Sequence, residues 1–391
     1  MSSSDNKFAF MDKELQRRQQ NSQLRSLCQV TPLNQVEVEI NGKIMVNFSS
    51  NDYLALSRHP ELKKRAAEFM KKYGAGSTAS RLICGTTSCY GPVEKKLAAL
   101  KGTEAALILN SGFQANITVL PALTDKKSLI LSDELNHNSL IQGAILSRCE
   151  KKIFHHNDTF HLEELLKEAE KKDYSRILIV TESVFSMDGD CANLSALAWL
   201  SREYGAMLMV DEAHATGVLG KNGMGLCAGE DIDIIMGTFG KAAGSFGAYV
   251  AISEKMRDYF INKCTGFVFS TALPPQVIGA IDAALDLMPL MDRERIFLHE
   301  NADYIRKKFH EMGLDTAGSN TQIIPVITGS EEKTLNLARY LMERGILATP
   351  IRPPTVEKGK SRIRLTISSG HTKEHINNLV KAFDLFFRGG K

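Results

Sequence analysis

No two of the seven cysteines, Cys28, Cys84, Cys89, Cys149, Cys191, Cys227 and Cys264, are spaced as C-x-x-C, and their number is odd. This argues against a disulfide framework and against a zinc site; a reducing, cytoplasmic setting and no metal are expected. The start, Met1-Ser2-Ser3-Ser4-Asp5-Asn6, lacks the basic and apolar regions of a secretory signal. The uncharged stretch Thr265 to Ile281 is broken by Ser270, Thr271, Pro274, Pro275 and Gln276, so it cannot span a bilayer. Neither sign of charge dominates: the formal net charge is +3 over 391 residues, with basic residues spread among acidic ones. Nucleic-acid and membrane partners are therefore not expected. Internal repeats and low-complexity segments are missing, and Gly74-Ala75-Gly76-Ser77 makes no G-x-G-x-x-G after a strand, which weakens a dinucleotide site.

What remains has ordinary globular composition, 43% hydrophobic and 24% charged. Short apolar runs alternate with amphipathic segments, a pattern that implies an α/β fold built from βα units around a largely parallel sheet. Strands are expected over 105–110, 128–132, 176–181, 206–210, 234–238 and 247–252, and a core-facing helix over Asn193 to Tyr204 through Leu194, Leu197, Trp199, Leu200 and Tyr204. Residues 1–48 read as an N-terminal arm with a strand pair around Asn41-Gly42, and 49–286 as a large domain. A smaller C-terminal α+β domain is expected over 287–391, with helices at Asp292 to Met312, Glu332 to Arg344 and His371 to Phe387.

Lys241 is the only Asp, Glu, Lys or Arg between Ile234 and Ser253. An ammonium in such a stretch costs several kcal/mol unless it is paired, neutralised or used covalently. Upstream, the apolar run Met207-Leu208-Met209-Val210 ends in Asp211-Glu212-Ala213-His214. An acid at a strand end and a Schiff-base lysine are the two groups that pyridoxal 5′-phosphate chemistry most needs, the acid to keep the pyridine nitrogen protonated. The alternative for Asp211 is a helix N-cap. Ser111-Gly112-Phe113 lies between an apolar run and a helical pattern and could offer backbone N–H groups to a phosphate, or be an ordinary strand-to-helix turn. Thr238 adds a hydroxyl, and His214 and Ser186 are candidate donors to the cofactor's phenolic oxygen. Arg362 and Arg364 fall on one face of a strand, where surface pairing is the simplest account.

These words stand in an order that resembles the α-oxoamine synthase family: Asn51-Asp52-Tyr53-Leu54, Ser80-Arg81-Leu82-Ile83, Ser111-Gly112-Phe113-Gln114-Ala115-Asn116, Asn136-His137, Glu182 through Asp190, Asp211-Glu212-Ala213-His214, Thr238-Phe239-Gly240-Lys241 and Pro353-Pro354-Thr355-Val356. The resemblance covers nearly the whole chain. It implies a PLP-dependent transferase fold of type I and decarboxylative condensation of an amino acid with an acyl thioester. Lys241 would hold pyridoxal 5′-phosphate, His137 would stack on its ring and Glu182 would steady that neighbourhood. Thr271 would reach the phosphate from the other subunit of a homodimer, Arg364 would bind the amino-acid carboxylate, and Asn51, Arg25, Arg352 and Thr355 would meet substrate. The word Ile351-Arg352-Pro353-Pro354-Thr355-Val356 is most similar to the biotin-pathway branch, which implies L-alanine with pimeloyl-CoA or pimeloyl-acyl carrier protein. Glycine with acetyl-CoA is the alternative within the enzyme class, and a non-catalytic partner subunit of a heterodimer the alternative outside it. Thr78-Ala79, Tyr90 and Glu357 depart from the family pattern and bear on the acyl group accepted.

Overall fold

The computed structural model describes residues 5–389; Met1-Ser2-Ser3-Ser4, on which the expectation about a secretory signal rests, lies outside them. The described chain opens with helix α1 (Ala9–Gln20), the short strand β1 (Thr31–Pro32) and the hairpin of β2 (Glu37–Ile40) and β3 (Lys43–Asn47). Asn41 and Gly42 take φ of 50° and 74°, the left-handed pair that a two-residue hairpin turn demands.

Helices α2 (Pro60–Tyr73) and α3 (Tyr90–Lys101) lead into a run of alternating elements: β4 (Ala105–Leu109), α4 (Gly112–Leu123), β5 (Ser128–Asp133), α5 (Asn138–Leu146), β6 (Glu150–Phe154), α6 (Thr159–Ala169), β7 (Arg176–Glu182), α7 (Leu194–Glu203) and β8 (Met207–Asp211). Strands β9 (Ile234–Thr238) and β10 (Ala248–Ile252) follow, then α8 (Glu254–Lys263), α9 (Thr265–Val268), α10 (Pro275–Leu287) and α11 (Asp292–Glu311). The seven strands form one sheet in the order β4-β10-β9-β8-β7-β5-β6, parallel except for β10. β4, β5 and β10 are buried along their whole length, as strands covered on both faces must be, which is why they read as continuous apolar runs. A core of Leu107, Val119, Leu120, Ile130, Leu178, Met209, Met236 and Val250 fills the space beside the sheet. The C-terminal elements are β11 (Ile323–Gly329), α12 (Glu331–Glu343), β12 (Ile346–Leu347), β13 (Thr349–Ile351), β14 (Ser361–Thr366) and α13 (Lys373–Arg388). β14 lies between β11 and β13, antiparallel to both.

Compactness divides the chain differently from the sequence reading. One unit is Asn51 to His299; the other joins the residues up to Ser50 with those from Glu300 onward. The first residues are not a separate arm because β3 pairs in parallel with β12, through Val46 and Ile346, so the N-terminal hairpin completes a sheet with C-terminal residues. The other boundary falls inside α11 rather than at residue 287. One strand is absent from the sequence reading and one side chain departs from it. β6 carries no apolar run: it is an edge strand whose Glu150, Lys151 and Ile153 are exposed, and charge on an edge discourages pairing with other chains. In α7, Trp199 faces outward at 48% exposure while Leu194, Leu197 and Leu200 are buried.

Two polar assemblies tie the larger unit together. Lys101 at the end of α3 is fully buried and donates to Glu212 Oε2 (2.8 Å), Thr216 Oγ1 (3.1 Å) and the Met224 carbonyl (2.6 Å). Glu212 Oε1 accepts from the Cys227 N–H at 2.8 Å. Gly225, at φ 96°, is required here, since a Cβ would come within 2.2 Å of the Glu212 carboxylate. Breaking such a pair strands a charge, so Lys101→Met is expected to destabilise the fold by about 3–5 kcal/mol in denaturant titration, and the double replacement Lys101→Met, Glu212→Gln by less. In the second assembly, His156 after β6 bonds Asp133 Oδ1 through Nδ1 (3.0 Å) and Asp190 Oδ2 through Nε2 (2.8 Å). Burial alone would lower its pKa, but the bonds to Asp133 and Asp190 override it and raise it to about 10. A folded pKa above the unfolded value contributes stability in full below about pH 6.5, and that contribution fades as pH rises through about 10. The gap in Tm between wild type and His156→Gln is thus expected to be widest near pH 6 and to close toward pH 10, as read by thermal melts across pH.

Candidate active site

The parallel strands end at one edge of the sheet, and the chemistry gathers there. Glu182 ends β7 and lies opposite Asp211, the last residue of β8, which in turn lies opposite Met236 of β9. The apolar strands thus carry acids to adjacent C-terminal ends, where loops leave the sheet. Asp211 is 4% exposed, and each carboxylate oxygen has a donor: the Ala213 N–H reaches Oδ1 (2.8 Å) and Asn116 Nδ2 reaches Oδ2 (2.9 Å). Glu182 is 3% exposed and accepts the His137 backbone N–H at 2.5 Å. Burial, reinforced by the charge of Asp211, pushes its carboxyl well above the usual range, so the neutral acid is favoured beside Asp211.

Lys241 lies in the short connection from β9 to β10, between strands that pair as neighbours. The Phe239 N–H to Gly247 O, Ser245 N–H to Phe239 O and Gly244 N–H to Lys241 O bonds (each 2.9 Å) pin that loop. Lys241 is half-buried rather than enclosed, and its Nζ lies 2.7 Å from His214 Nε2. His214 Nδ1 lies 2.7 Å from the hydroxyl of the fully buried Tyr53, which donates to Asn51 Oδ1 at 3.0 Å. With the tyrosine hydrogen directed at Asn51, His214 donates from Nδ1, and its bare Nε2 accepts from the lysine amine. His214 therefore meets Lys241 directly, a pairing that motif spacing does not show.

Ser111 caps α4, its hydroxyl accepting the Gln114 N–H at 3.2 Å, so the first-turn N–H groups of Gly112 and Phe113 belong to a helix N-terminus suited to an anion. Thr238 Oγ1 donates to the Gly247 carbonyl (2.8 Å) and accepts the Gly240 N–H (3.1 Å), bracing the turn that leads to Lys241. Ser270 accepts from Gln114 Nε2, and the exposed Thr271 accepts from Asn110 Nδ2 through its carbonyl (2.8 Å). Within a single chain, residues 270 and 271 therefore already lie beside the start of α4. Ser186 sits half-buried in the turn after β7. His137 leads into α5 with its ring accessible; desolvation lowers its pKa against the pull of Asp211, and Lys241 lowers it further. Thr78, where the family pattern has glycine, takes φ 58°, a region that glycine occupies without strain.

The other unit holds the remaining candidates. Arg364 lies in β14 at 7% exposure. A cleft of about 790 Å³ is lined by Leu24, Arg25, Leu27, Met342, Ile351, Arg352 and Thr355 among others. Arg25 Nη2 donates to Thr355 Oγ1 at 2.8 Å, while Arg352 is committed to the Ser22 and Leu24 carbonyls of the N-terminal segment. Desolvation, then the neighbouring Arg25, lowers the pKa of Arg352.

Tyr53, Asn116 and Ser139 were given no role by sequence. Tyr53 and Asn116 at least lie inside the matching words, whereas Ser139 lies outside all of them; each acts on a partner distant along the chain. The donor set fits pyridoxal 5′-phosphate: an acceptor-only carboxylate at a buried strand end, an amine on a braced turn, and a capped helix N-terminus.

Comparison with known proteins agrees with that chemistry. Residues 43–383 match the family Aminotransferase class I and II. A protein of Desulfosudis oleivorans, provisionally named 8-amino-7-oxononanoate synthase, is 55% identical over 98% of this chain and 99% of its own. The 8-amino-7-oxononanoate synthase of Gluconacetobacter diazotrophicus is 49% identical over 89% of each chain. A serine palmitoyltransferase solved with a PLP internal aldimine superposes with a TM-score of 0.91 at 26% identity, covering 98% of both chains. The chain thus belongs to the class I and II aminotransferase family and, within it, to the α-oxoamine synthases, acyltransferases of fold type I that use pyridoxal 5′-phosphate and that include the 8-amino-7-oxononanoate synthases it resembles.

Proposed function

We propose that the protein condenses L-alanine with a pimeloyl thioester, releasing carbon dioxide and the thiol and forming 8-amino-7-oxononanoate, in a cytoplasmic homodimer. The observation that carries the chemical part is the Lys241 amine held 2.7 Å from His214 Nε2, in the unit that also carries the buried carboxylate of Asp211. The substrate part is supported by the curated relatives that bear this name.

Pyridoxal 5′-phosphate, when bound, supplies the sink for the electron pair left at Cα. Lys241 would be its covalent anchor, and the free lysine amine would be the base that takes the Cα proton. His214 accepts from the amine at Nε2 and so orients it, with Tyr53 and Asn51 fixing the imidazole from behind. Asp211 would hold a proton on the ring nitrogen, and the N–H groups of Gly112 and Phe113, with the hydroxyls of Ser111 and Thr238, would bind the phosphate. His137 would stack on the ring, Ser186 would meet the phenolic oxygen and Thr271 would serve the partner's phosphate, while Glu182 holds the His137 main chain. Arg364 takes the alanine carboxylate with a planar fork. The cleft with apolar walls and Arg25–Thr355 at its side suits an aliphatic chain that ends in a carboxylate. Arg352 braces the N-terminal segment beside it.

Lys241→Ala is expected to lower product formation by roughly a thousandfold or more while the fold persists. Asp211→Asn should retain cofactor but lose most exchange of the alanine Cα hydrogen in heavy water, measured by NMR; near-normal exchange would remove Asp211 from its role. An assay grid of amino acids against acyl thioesters tests the substrates. Alanine with pimeloyl thioester is expected to have the highest kcat/KM, and Arg25→Ala to narrow the preference for pimeloyl over a same-length monocarboxylic chain by about tenfold. A higher kcat/KM for glycine with acetyl-CoA would replace this reading by the glycine acetyltransferase one.

A further inference from the structure

Asn116 stands in the middle of α4, among the buried Ala115, Val119, Leu120 and Leu123. Asparagine is a mediocre helix former and a costly core residue, so an aliphatic side chain is the expected occupant. Asn116 is 1% exposed, and its Oδ1 is buried without a hydrogen-bond partner. A position serving only to pack would shed that cost. What the residue provides is a pair of donors: Nδ2 gives one hydrogen to Asp211 Oδ2 and the other to Ser139 Oγ, each at 2.9 Å. Turning the amide over would set its oxygen against the aspartate, acceptor against acceptor, so the charge of Asp211 fixes the orientation.

The state of the next residue follows from counting hydrogens. Ser139, also 1% exposed, has a single hydroxyl hydrogen. Its oxygen accepts from Asn116, so that hydrogen goes to His137 Nδ1, 2.7 Å away. The Ser139 backbone N–H reaches the same Nδ1 at 3.2 Å. With two donors directed at Nδ1, the imidazole carries its hydrogen on Nε2, and an imidazolium would set an N–H against both of them. We propose that Asn116 is a positioning residue whose amide holds Asp211 as an acceptor and, through Ser139, keeps His137 neutral with its hydrogen on Nε2. The charge of Asp211 is then not spent on the His137 imidazole and stays for the ring nitrogen of the cofactor, a consequence that rests on the role proposed above for Asp211.

The test uses the full-length holoenzyme with 15N-labelled histidine and reads the His137 tautomer and titration by long-range nitrogen–proton correlation, alongside cofactor affinity from absorption. In wild type, the His137 hydrogen is expected on Nε2, with no titration between about pH 6 and 8. Ser139→Ala should release the fixed tautomer and let His137 titrate in that range, and Ser139→Thr should restore the wild-type spectrum. Asn116→Ala should show both the spectral change and roughly tenfold weaker cofactor binding. If Asn116→Ala does not fold, Ser139→Ala carries the test alone. A hydrogen on Nδ1 in wild type, or a His137 spectrum unchanged in Ser139→Ala, would overturn the proposal. Near-normal Cα exchange in Asp211→Asn would instead defeat the Asp211 assignment and leave the His137 result standing, so the two failures are separable.

Discussion

A carboxylate taken below the surface of a sheet needs donors or it takes up a proton, and the site is organised around that constraint at Asp211. Its oxygens are met by the Ala213 N–H and by Asn116, whereas Glu182, one strand away in register, is pushed toward the neutral form by burial and by the charge of Asp211. Glu212, the next residue, points into the Lys101 pocket and has its own buried counter-charge. Three acidic side chains thus stand close together in the chain fold in three different settings: one met by two donors, one pushed toward the neutral form, one paired with a buried lysine. Environment separates carboxyl groups that lie within a few residues or one strand of each other.

Alternation of two kinds of segment made the α/β class legible, because strands covered on both faces must be apolar throughout while the helices keep one wet side. The same logic hid β6, an edge strand that carries Glu150, Lys151 and Lys152 in place of an apolar run, and misplaced Trp199, since helical spacing does not say which large side chain turns outward. The division into units was hidden for a different reason. Pairing of β3 with β12 joins segments almost the whole chain apart, and nothing local announces it.

The candidate site was legible in unequal parts. Lys241 and Asp211 could be found from the oddity of one cation in an apolar stretch and one acid at the end of an apolar strand. Tyr53, Asn116, Ser139 and Lys101 could not, because a buried hydrogen bond between residues far apart leaves no trace in local composition. The polarity of each chain, from Lys241 through His214 to Asn51 and from Asp211 through Asn116 to His137, emerges only when hydrogens are counted along it.

The antiparallel strand β10 has a mechanical consequence. Every parallel step in the sheet requires a long crossover, whereas the step from β9 to β10 is a short return whose two ends are bonded to each other. The lysine backbone is therefore clamped like a hinge plate, and only the four-carbon stem swings. Moving the amine then needs rotamer changes of that stem rather than the slower rearrangement of a loop.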